Sequence, residues 1–330
     1  MSLYRSLIKQ AFVIAWEHKY LWFFGLFATL VASNLEIELV NRFANRGFTL
    51  YDWQRWADTG IFSSKTLSNL GQLAQSQTGS FISLLVIIAI FLALMAGLVW
   101  LSVVSQIALV SNSNKALGTG RRLTVAERRH DTSVGFKEGR KYFWRVLVLN
   151  IVVRFTIYIL AAISIVPVMI WTAGQGPLFS LVYLVGFIVF LGIALSWSLI
   201  SKYAIADIVI RQRPFGEAVR SSWKLFWNNW LVSLEMAFVL FALSLVASIV
   251  IILGVMVIAI PFGLLYVAAI FLGSYPIFVV VIILAVLASL GIIIIGGSIL
   301  TVVQTTAWVG LFNQLMGKGA ESKLERVFKE

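Results

Sequence analysis

From Leu231 to Leu311 the chain carries a single charged residue, Glu235. This stretch is too long for one element of a soluble core, since about 20 apolar residues are enough for a helix to cross a bilayer. In lipid every backbone polar group needs an internal partner, which favours transmembrane helices. Only 12% of the 330 residues are charged, about half of the share that is typical of soluble domains. The sequence therefore predicts an all-α, polytopic membrane helical bundle that forms a single integral membrane domain, 1–330.

Apolar runs before Leu231 predict four further crossings. We expect them at Leu21 to roughly Val40, Phe81 to Val110, Phe143 to Trp171 and Leu178 to Ile210. The alternative for the first run is a cleaved signal peptide that ends near Ser33, with an unusually long leader that contains Glu17. The apolar stretch after Leu231 has room for two crossings or three, and hydropathy alone does not decide between them.

The distribution of Lys and Arg favours two crossings in that stretch. With two, 21 basic residues lie on the cytoplasmic side and four lie in an outer loop, 41–78, as the positive-inside rule requires. The predicted topology has six transmembrane helices, cytoplasmic termini, a cytoplasmic basic loop over 111–141 and a cytoplasmic tail over 318–330. Residues 262–275 are then an outer-surface or re-entrant piece packed on protein. The expected location is the bacterial cytoplasmic (plasma) membrane.

Pro214 to Leu231 has the period of an amphipathic helix. One face is rich in Trp and holds Val219, Trp223, Phe226, Trp227 and Trp230. The other face is basic and polar and holds Glu217, Arg220, Ser221, Lys224 and Asn228. Residues 1–19 show a similar division, with Leu3, Leu7, Ala11, Ile14 and Ala15 on one side and Arg5 and Lys9 on the other. Both patterns predict helices that lie in the membrane–water interface.

An internal repeat is suggested where the predicted hairpins return to the cytoplasm. Three runs of equal length lead from an alanine to a glycine, at Ala108–Gly118, Ala206–Gly216 and Ala307–Gly317. Each follows the same order of basic amphipathic helix, outward span and inward span. We therefore predict three parallel hairpin repeats, approximately 1–112, 133–212 and 214–317, each preceded by a cytoplasmic-side interface helix.

Arg154 and Glu235 are the ionisable residues that lie deepest in the predicted spans. Arg154 is about 15 Å along a helix from Trp144, and its side chain can extend toward the cytoplasmic side. We predict that Arg154 and Glu235 approach each other, with Asn150 one turn before Arg154 on the same face. Two interpretations stay open: a polar cavity for an anionic substrate or lipid headgroup, and an ion pair that fixes helix packing.

Basic residues near the cytoplasmic surface are candidates for contact with anionic lipid. They are Arg121, Arg122, Arg128, Arg129, Arg220 and Lys224. The alternative is that these charges only set the topology. The net charge of +12 needs no nucleic-acid partner for the same reason.

The sequence gives little support to an enzyme. Cysteine is absent, which excludes a thiol nucleophile and a thiolate metal site. His18 lies near the predicted interface, where an imidazole needs no chemical role, and His130 has no second histidine at metal-ligand spacing. The spans contain neither a zinc-protease nor a serine-hydrolase motif. We predict no catalytic residues, no metal and no cofactor.

The stretches Leu21–Ala28 and Glu217–Trp227 resemble a group of uncharacterised bacterial six-span proteins. That group is labelled after the membrane domain of glycerophosphoryl diester phosphodiesterases. In that family catalysis belongs to a separate soluble barrel, and His130-Asp-Thr does not reproduce its catalytic pattern. The resemblance thus implies a membrane module without phosphodiesterase activity. Three hairpins also suggest mitochondrial carriers, but the proline-acidic-basic signature of that family is missing from the spans.

These observations predict a non-enzymatic integral membrane protein that organises lipid or partner proteins in the membrane. The alternative is a small transporter or permease with a polar path near Arg154 and Glu235. An intramembrane enzyme is the third possibility. The expected partners are the lipid bilayer, including anionic lipids, and a membrane protein whose identity the sequence does not reveal.

Overall fold

The computed structural model describes residues 3–31, 68, 78–119, 125–171 and 177–317, and all regular structure in these ranges is helical. The helices are α1 (Leu3–Glu17), α2 (Leu21–Val31), α3 (Thr78–Thr119), α4 (Val125–Trp171), α5 (Pro177–Ile210), α6 (Phe215–Asn228), α7 (Trp230–Phe271) and α8 (Tyr275–Gly317). Five of these helices, α3, α4, α5, α7 and α8, are long and apolar enough to cross a membrane. The prediction of a helical membrane protein is confirmed at this level.

Several predicted segments lie wholly or partly outside the described residues. The first span is described only as α2, whose 11 residues have a length of about 16 Å. The rest of that span, almost all of the outer loop 41–78 and the tail 318–330 belong to the ranges without description.

The described part of the predicted cytoplasmic basic loop, 111–141, is helical, and the cytoplasmic position of this segment stays a prediction. α3 continues to Thr119, and α4 begins at Val125, so both flanks of the connection are helical. Eight residues of the segment are Lys or Arg, which have high helix propensity, and a helix that leaves the membrane can continue in water. α4 has 47 residues, or about 70 Å, and joins the predicted interface helix to the third span without a break.

The prediction of a separate piece at 262–275 is wrong, because α7 continues through Pro261 to Phe271. A proline removes one backbone hydrogen bond from the helix, and tertiary packing tolerates this loss. The chain reverses at Leu272–Ser274, where Gly273 has a φ of 59°. Its N–H bonds to the carbonyl of Ile270 and that of Ser274 to Ala269, the pattern of a glycine-terminated helix end. Two long helices therefore fill the stretch 230–317.

The helices form two compact units. Unit 1 contains α1, α2, residues 102–119 of α3, residues 125–147 of α4, residues 202–210 of α5, and α6, α7 and α8. Unit 2 contains residues 78–101 of α3, residues 148–171 of α4 and residues 177–201 of α5.

α8 is the main packing partner within unit 1, because α1, α2 and α7 all pack against it. The C-terminal half of α8, from Ser298 to Leu315, is mostly buried. α2 comes closest at Gly25, where an added Cβ would lie 2.6 Å from the carbonyl oxygen of Ser298. Glycine is required at this contact because a backbone atom cannot give way as a flexible side chain can.

Unit 2 has a small apolar core between α4 and α5. Ile157 and Ala161 of α4 pack with Phe190 and Ala194 of α5, and all four are buried. Large apolar side chains of α3 in this unit, such as Phe91, are exposed. Exposed apolar residues along a whole helix are typical of a surface that faces lipid.

Candidate functional site

Polar side chains join the helices in the interior of unit 1. The hydrogen bonds between helices include Tyr203–Ser233 at 2.8 Å, Ser113–Thr306 at 2.9 Å, Asn114–Asn313 at 2.7 Å and Thr29–Thr301 at 2.8 Å. Tyr203 also packs edge-on against Trp308, with ring centroids 5.7 Å apart. Polar contacts inside and apolar residues outside are the pattern of helices that associate in lipid.

Glu235 belongs to this interior, and its carboxylate accepts a hydrogen bond from the hydroxyl of Tyr4 on α1. Burial is the main reason why the pKa of the Tyr4 phenol lies well above its ordinary value, and the hydrogen bond to Glu235 raises this pKa further. The sequence analysis did not find Tyr4 as a partner of Glu235, because the two residues are 231 positions apart.

Asn150 and Arg154 lie in the part of α4 that belongs to unit 2, whereas Glu235 lies in unit 1. Both α4 side chains are half-buried. The predicted approach of Arg154 and Glu235, with Asn150 beside them, therefore stays a prediction.

Asp207, near the end of α5, is a buried charged residue that the sequence analysis did not single out. It has no exposed surface. Its carboxylate lies 3.6 Å from Nη1 of Arg213 and 3.8 Å from Nε of Arg211. Both arginines follow the end of α5, where Gln212 turns the chain with a φ of 58°. An acidic residue closely followed by Arg-x-Arg was a usable signal for this cluster.

The predicted amphipathic helix is α6, and its tryptophans point away from unit 1. The residues that α6 buries are Ala218, Ser222 and Phe226. Three aromatic residues stay exposed, Trp223 at 45%, Trp227 at 55% and Trp230, which begins α7, at 52%. Arg220 and Lys224 are exposed beside them. This set of three tryptophans and two cations is called the α6 surface below.

α1 resembles α6 in having one buried face and one exposed face that carries both apolar and basic residues. Leu7, Ala11, Ile14 and Ala15 are buried, as the period predicted. Phe12, Val13 and Trp16 are exposed, and so are the basic residues Arg5 and Lys9. α1 thus holds to the protein by one apolar face and presents a second apolar face outward.

The other predicted lipid contacts cannot be placed. Arg121 and Arg122 lie outside the described residues, and Arg128 and Arg129 lie on α4 in a stretch whose side chains are not described. Of the nearby cations, Lys115 is engaged within the protein, since its Nζ lies 3.1 Å from the carboxylate of Glu138. The same carboxylate accepts a hydrogen bond from Ser111.

His18 is buried, with 4% of its surface exposed, and its position at the membrane interface stays a prediction. It lies at the turn between α1 and α2, where Leu21 of α2 is also buried. In the described part of the chain no three His, Cys, Asp or Glu side chains come together in a way that could hold a metal ion.

Comparison with protein-family models, with curated proteins and with solved structures finds no match to this chain. The resemblance of Leu21–Ala28 and Glu217–Trp227 to the phosphodiesterase membrane-domain family therefore stays a prediction. The residues themselves lie on α2 and α6, and both segments expose aromatic rings at the surface of unit 1.

Proposed function

We propose that this protein is a non-enzymatic integral membrane protein that gathers anionic phospholipid at the inner face of the bacterial cytoplasmic membrane. The observation that carries the proposal is the α6 surface. Its tryptophans are held outward by a narrow buried face, and its two cations stand beside them. Tryptophan favours the headgroup boundary, and cations close to that boundary attract anionic headgroups.

The size of the attraction follows from the number of cations. Each Lys or Arg near an anionic surface contributes about 1 kcal/mol, so Arg220 and Lys224 together contribute about 2 kcal/mol. Unlike Lys115, which pairs with Glu138, the two residues project from an exposed helix face. The α6 surface is therefore suited to binding lipid headgroups more than to packing within the protein.

The proposal includes six spans arranged as three hairpin repeats, and two features support this arrangement. Asn114 and Asn313 stand six positions after the repeat alanines Ala108 and Ala307, and they bond to each other, as equivalent residues near a shared axis do. A lysine precedes a tryptophan by three residues ahead of each hairpin: Lys19–Trp22, Lys141–Trp144 and Lys224–Trp227. Cytoplasmic termini and the inner-leaflet position of α1 and α6 are part of the same proposal.

A transporter is the second candidate, and the buried cluster around Asp207 favours it. Ionisable residues buried in membrane proteins commonly mark ion or substrate pathways. The interior contacts of Tyr203 with Ser233 and of Ser113 with Thr306 favour the first proposal, because they fill the space between helices with direct bonds.

The test is a titration of the full-length protein in detergent with phosphatidylglycerol, with bound lipids counted by native mass spectrometry. We expect the double variant Arg220→Gln/Lys224→Gln to bind the first lipids roughly thirtyfold more weakly, which corresponds to about 2 kcal/mol.

The matched control is Lys137→Gln/Arg140→Gln, which removes two exposed cations of α4 in unit 1 and the same net charge. We expect this variant to retain most of the binding. Equal losses in the two double variants would mean that lipid responds only to net charge, and the α6 surface would then have no special role.

A further inference from the structure

Cations and tryptophans lie side by side on the exposed face of α6. Four exposed residues, three or four positions apart, form this face: Arg220, Trp223, Lys224 and Trp227. Residues at these spacings are neighbours on a helix surface. The buried face of α6, which includes Ala218 and Ser222, lies on the opposite side. The basic face and the Trp-rich face of the sequence pattern therefore meet on one exposed surface.

Arg220 and Lys224 form a pair of neighbouring cations on this face. They are one helical turn apart, so their Cβ atoms lie about 5–6 Å from each other. Among the described residues neither side chain forms an ion pair, in contrast to Arg213, which lies 3.6 Å from Asp207. The one acidic residue of α6, Glu217, precedes both cations. The face thus offers two adjacent positive charges to a ligand.

Two adjacent cations favour a ligand with two linked phosphates. The guanidinium of Arg220 can bind one phosphate through two parallel N–H bonds, and the ammonium of Lys224 acts as a point charge for another. Two separate lipids that bring their phosphates this close repel each other. When a covalent bridge joins the phosphates, binding of the first presents the second at a high effective concentration.

The tryptophans fit the apolar part of such a ligand. The ring centroids of Trp223 and Trp227 are 6.0 Å apart, and Trp230 at the start of α7 is also exposed. Tryptophan rings favour the boundary between headgroups and acyl chains. Acyl chains that hang from phosphates at Arg220 and Lys224 therefore start beside exposed aromatic rings.

We infer that the α6 surface selects a double-headed phospholipid of the cardiolipin type, with one phosphate at Arg220 and the other at Lys224. This inference rests on the proposed function, which requires only an anionic headgroup. It adds the class of lipid that the same surface prefers, and the reason for the preference is the spacing of the two cations.

The test is native mass spectrometry of the full-length protein in detergent, titrated with cardiolipin and, separately, with phosphatidylglycerol of the same acyl chains. We expect cardiolipin to bind about fivefold more tightly, which corresponds to one further contact of about 1 kcal/mol between a cation and a phosphate. Equal binding of the two lipids by the wild-type protein would overturn the inference. If Arg220→Gln/Lys224→Gln still weakens phosphatidylglycerol binding in that case, the proposed function stands without it.

A second pair of variants tests the spacing. Asn228 is the exposed last residue of α6, so Lys224→Gln/Asn228→Lys keeps the net charge and moves the second cation to about 12 Å from Arg220 along the helix. We expect this variant to lose the preference for cardiolipin, whereas Asn228→Lys alone keeps the pair and should retain it. A preference that persists in the double variant would come from the four acyl chains and would overturn the inference. Loss of the preference in Asn228→Lys alone would overturn it as well.

Discussion

Tyr4 ties the first helix of the chain to α7 through the carboxylate of Glu235. Replacement of Tyr4 by Phe keeps the ring and removes the hydroxyl, so the carboxylate loses a hydrogen bond worth about 1.5–3 kcal/mol. We expect Tyr4→Phe to lower the thermal unfolding midpoint of the protein in detergent, measured by intrinsic fluorescence. Tyr275→Phe, at an exposed position, is the control and should leave the midpoint unchanged.

The pKa of Tyr4 also gives the stability a pH dependence. The folded state raises this pKa above that of the unfolded chain, so the contribution of the neutral phenol is complete below about pH 10 and is lost as the pH rises above that value. Wild type should therefore lose stability relative to Tyr4→Phe above about pH 10, whereas the difference between them is constant from neutral pH to that point. A difference that already falls near neutral pH would contradict the assignment.

Asp207 and its two arginines differ in burial, and the cost of removing each should follow that difference. Asp207 is buried, whereas the side chains of Arg211 and Arg213 are 37% and 33% exposed. Arg211→Met/Arg213→Met leaves a buried carboxylate without its cations, at a cost of about 3–5 kcal/mol. Asp207→Asn leaves arginines that can turn to water. We expect the double arginine variant to unfold at the lower temperature, and the opposite order would contradict the pairing.

The sequence predicted which side chains are unusual better than it predicted their partners. Glu235 stood out because it is the only charge in a long apolar run, and that follows from composition alone. Tyr4 did not, because the contact depends on how α1 and α7 both pack against α8. Asp207 escaped notice because it stands at the end of a span, where a charged residue is ordinarily explained by the membrane surface.

Among the described glycines, Gly25 has the closest backbone atom of another helix at the position of an added Cβ. A Cβ at this position meets the backbone oxygen of Ser298 at 2.6 Å, so α2 has to move away from α8. Gly97 has no atom within 4 Å of the equivalent position, and Ala is a better helix former than Gly by about 1 kcal/mol. We expect Gly25→Ala to lower the unfolding midpoint and Gly97→Ala to leave it unchanged or raise it. Equal midpoints would show that α2 does not pack closely on α8.

Helical faces were predictable, and helix ends were not. The period of residues 1–19 predicted the buried face of α1, because apolar residues at every third or fourth position lie on one side of a helix. The C-terminal end of α3 and the N-terminal end of α4 were missed. Hydropathy shows where the apolar part of a helix ends, but the helix itself can continue through basic residues into water. The same limit explains the error at Pro261, where one weak position was taken as a boundary.

For the chain as a whole, composition and the distribution of Lys and Arg predicted a helical membrane protein, because insertion into a bilayer depends on summed properties of each segment. The assembly of unit 1 was not predictable, because it depends on small and polar residues whose partners are far apart in sequence. The bond between Asn114 and Asn313 is an example: the repeat aligns these two residues, but only packing brings them together.

The central claim is that the chain crosses the membrane in pairs of helices that return to the inner face. It is tested most directly by labelling single cysteines with a membrane-impermeant maleimide, which is clean because the chain has no cysteine of its own. Gly118→Cys and Gly317→Cys should react only when the inner face is accessible, and Leu272→Cys, at the turn between α7 and α8, only from outside. If positions 118 and 317 react from opposite sides, or 272 and 317 from the same side, the paired crossings are contradicted.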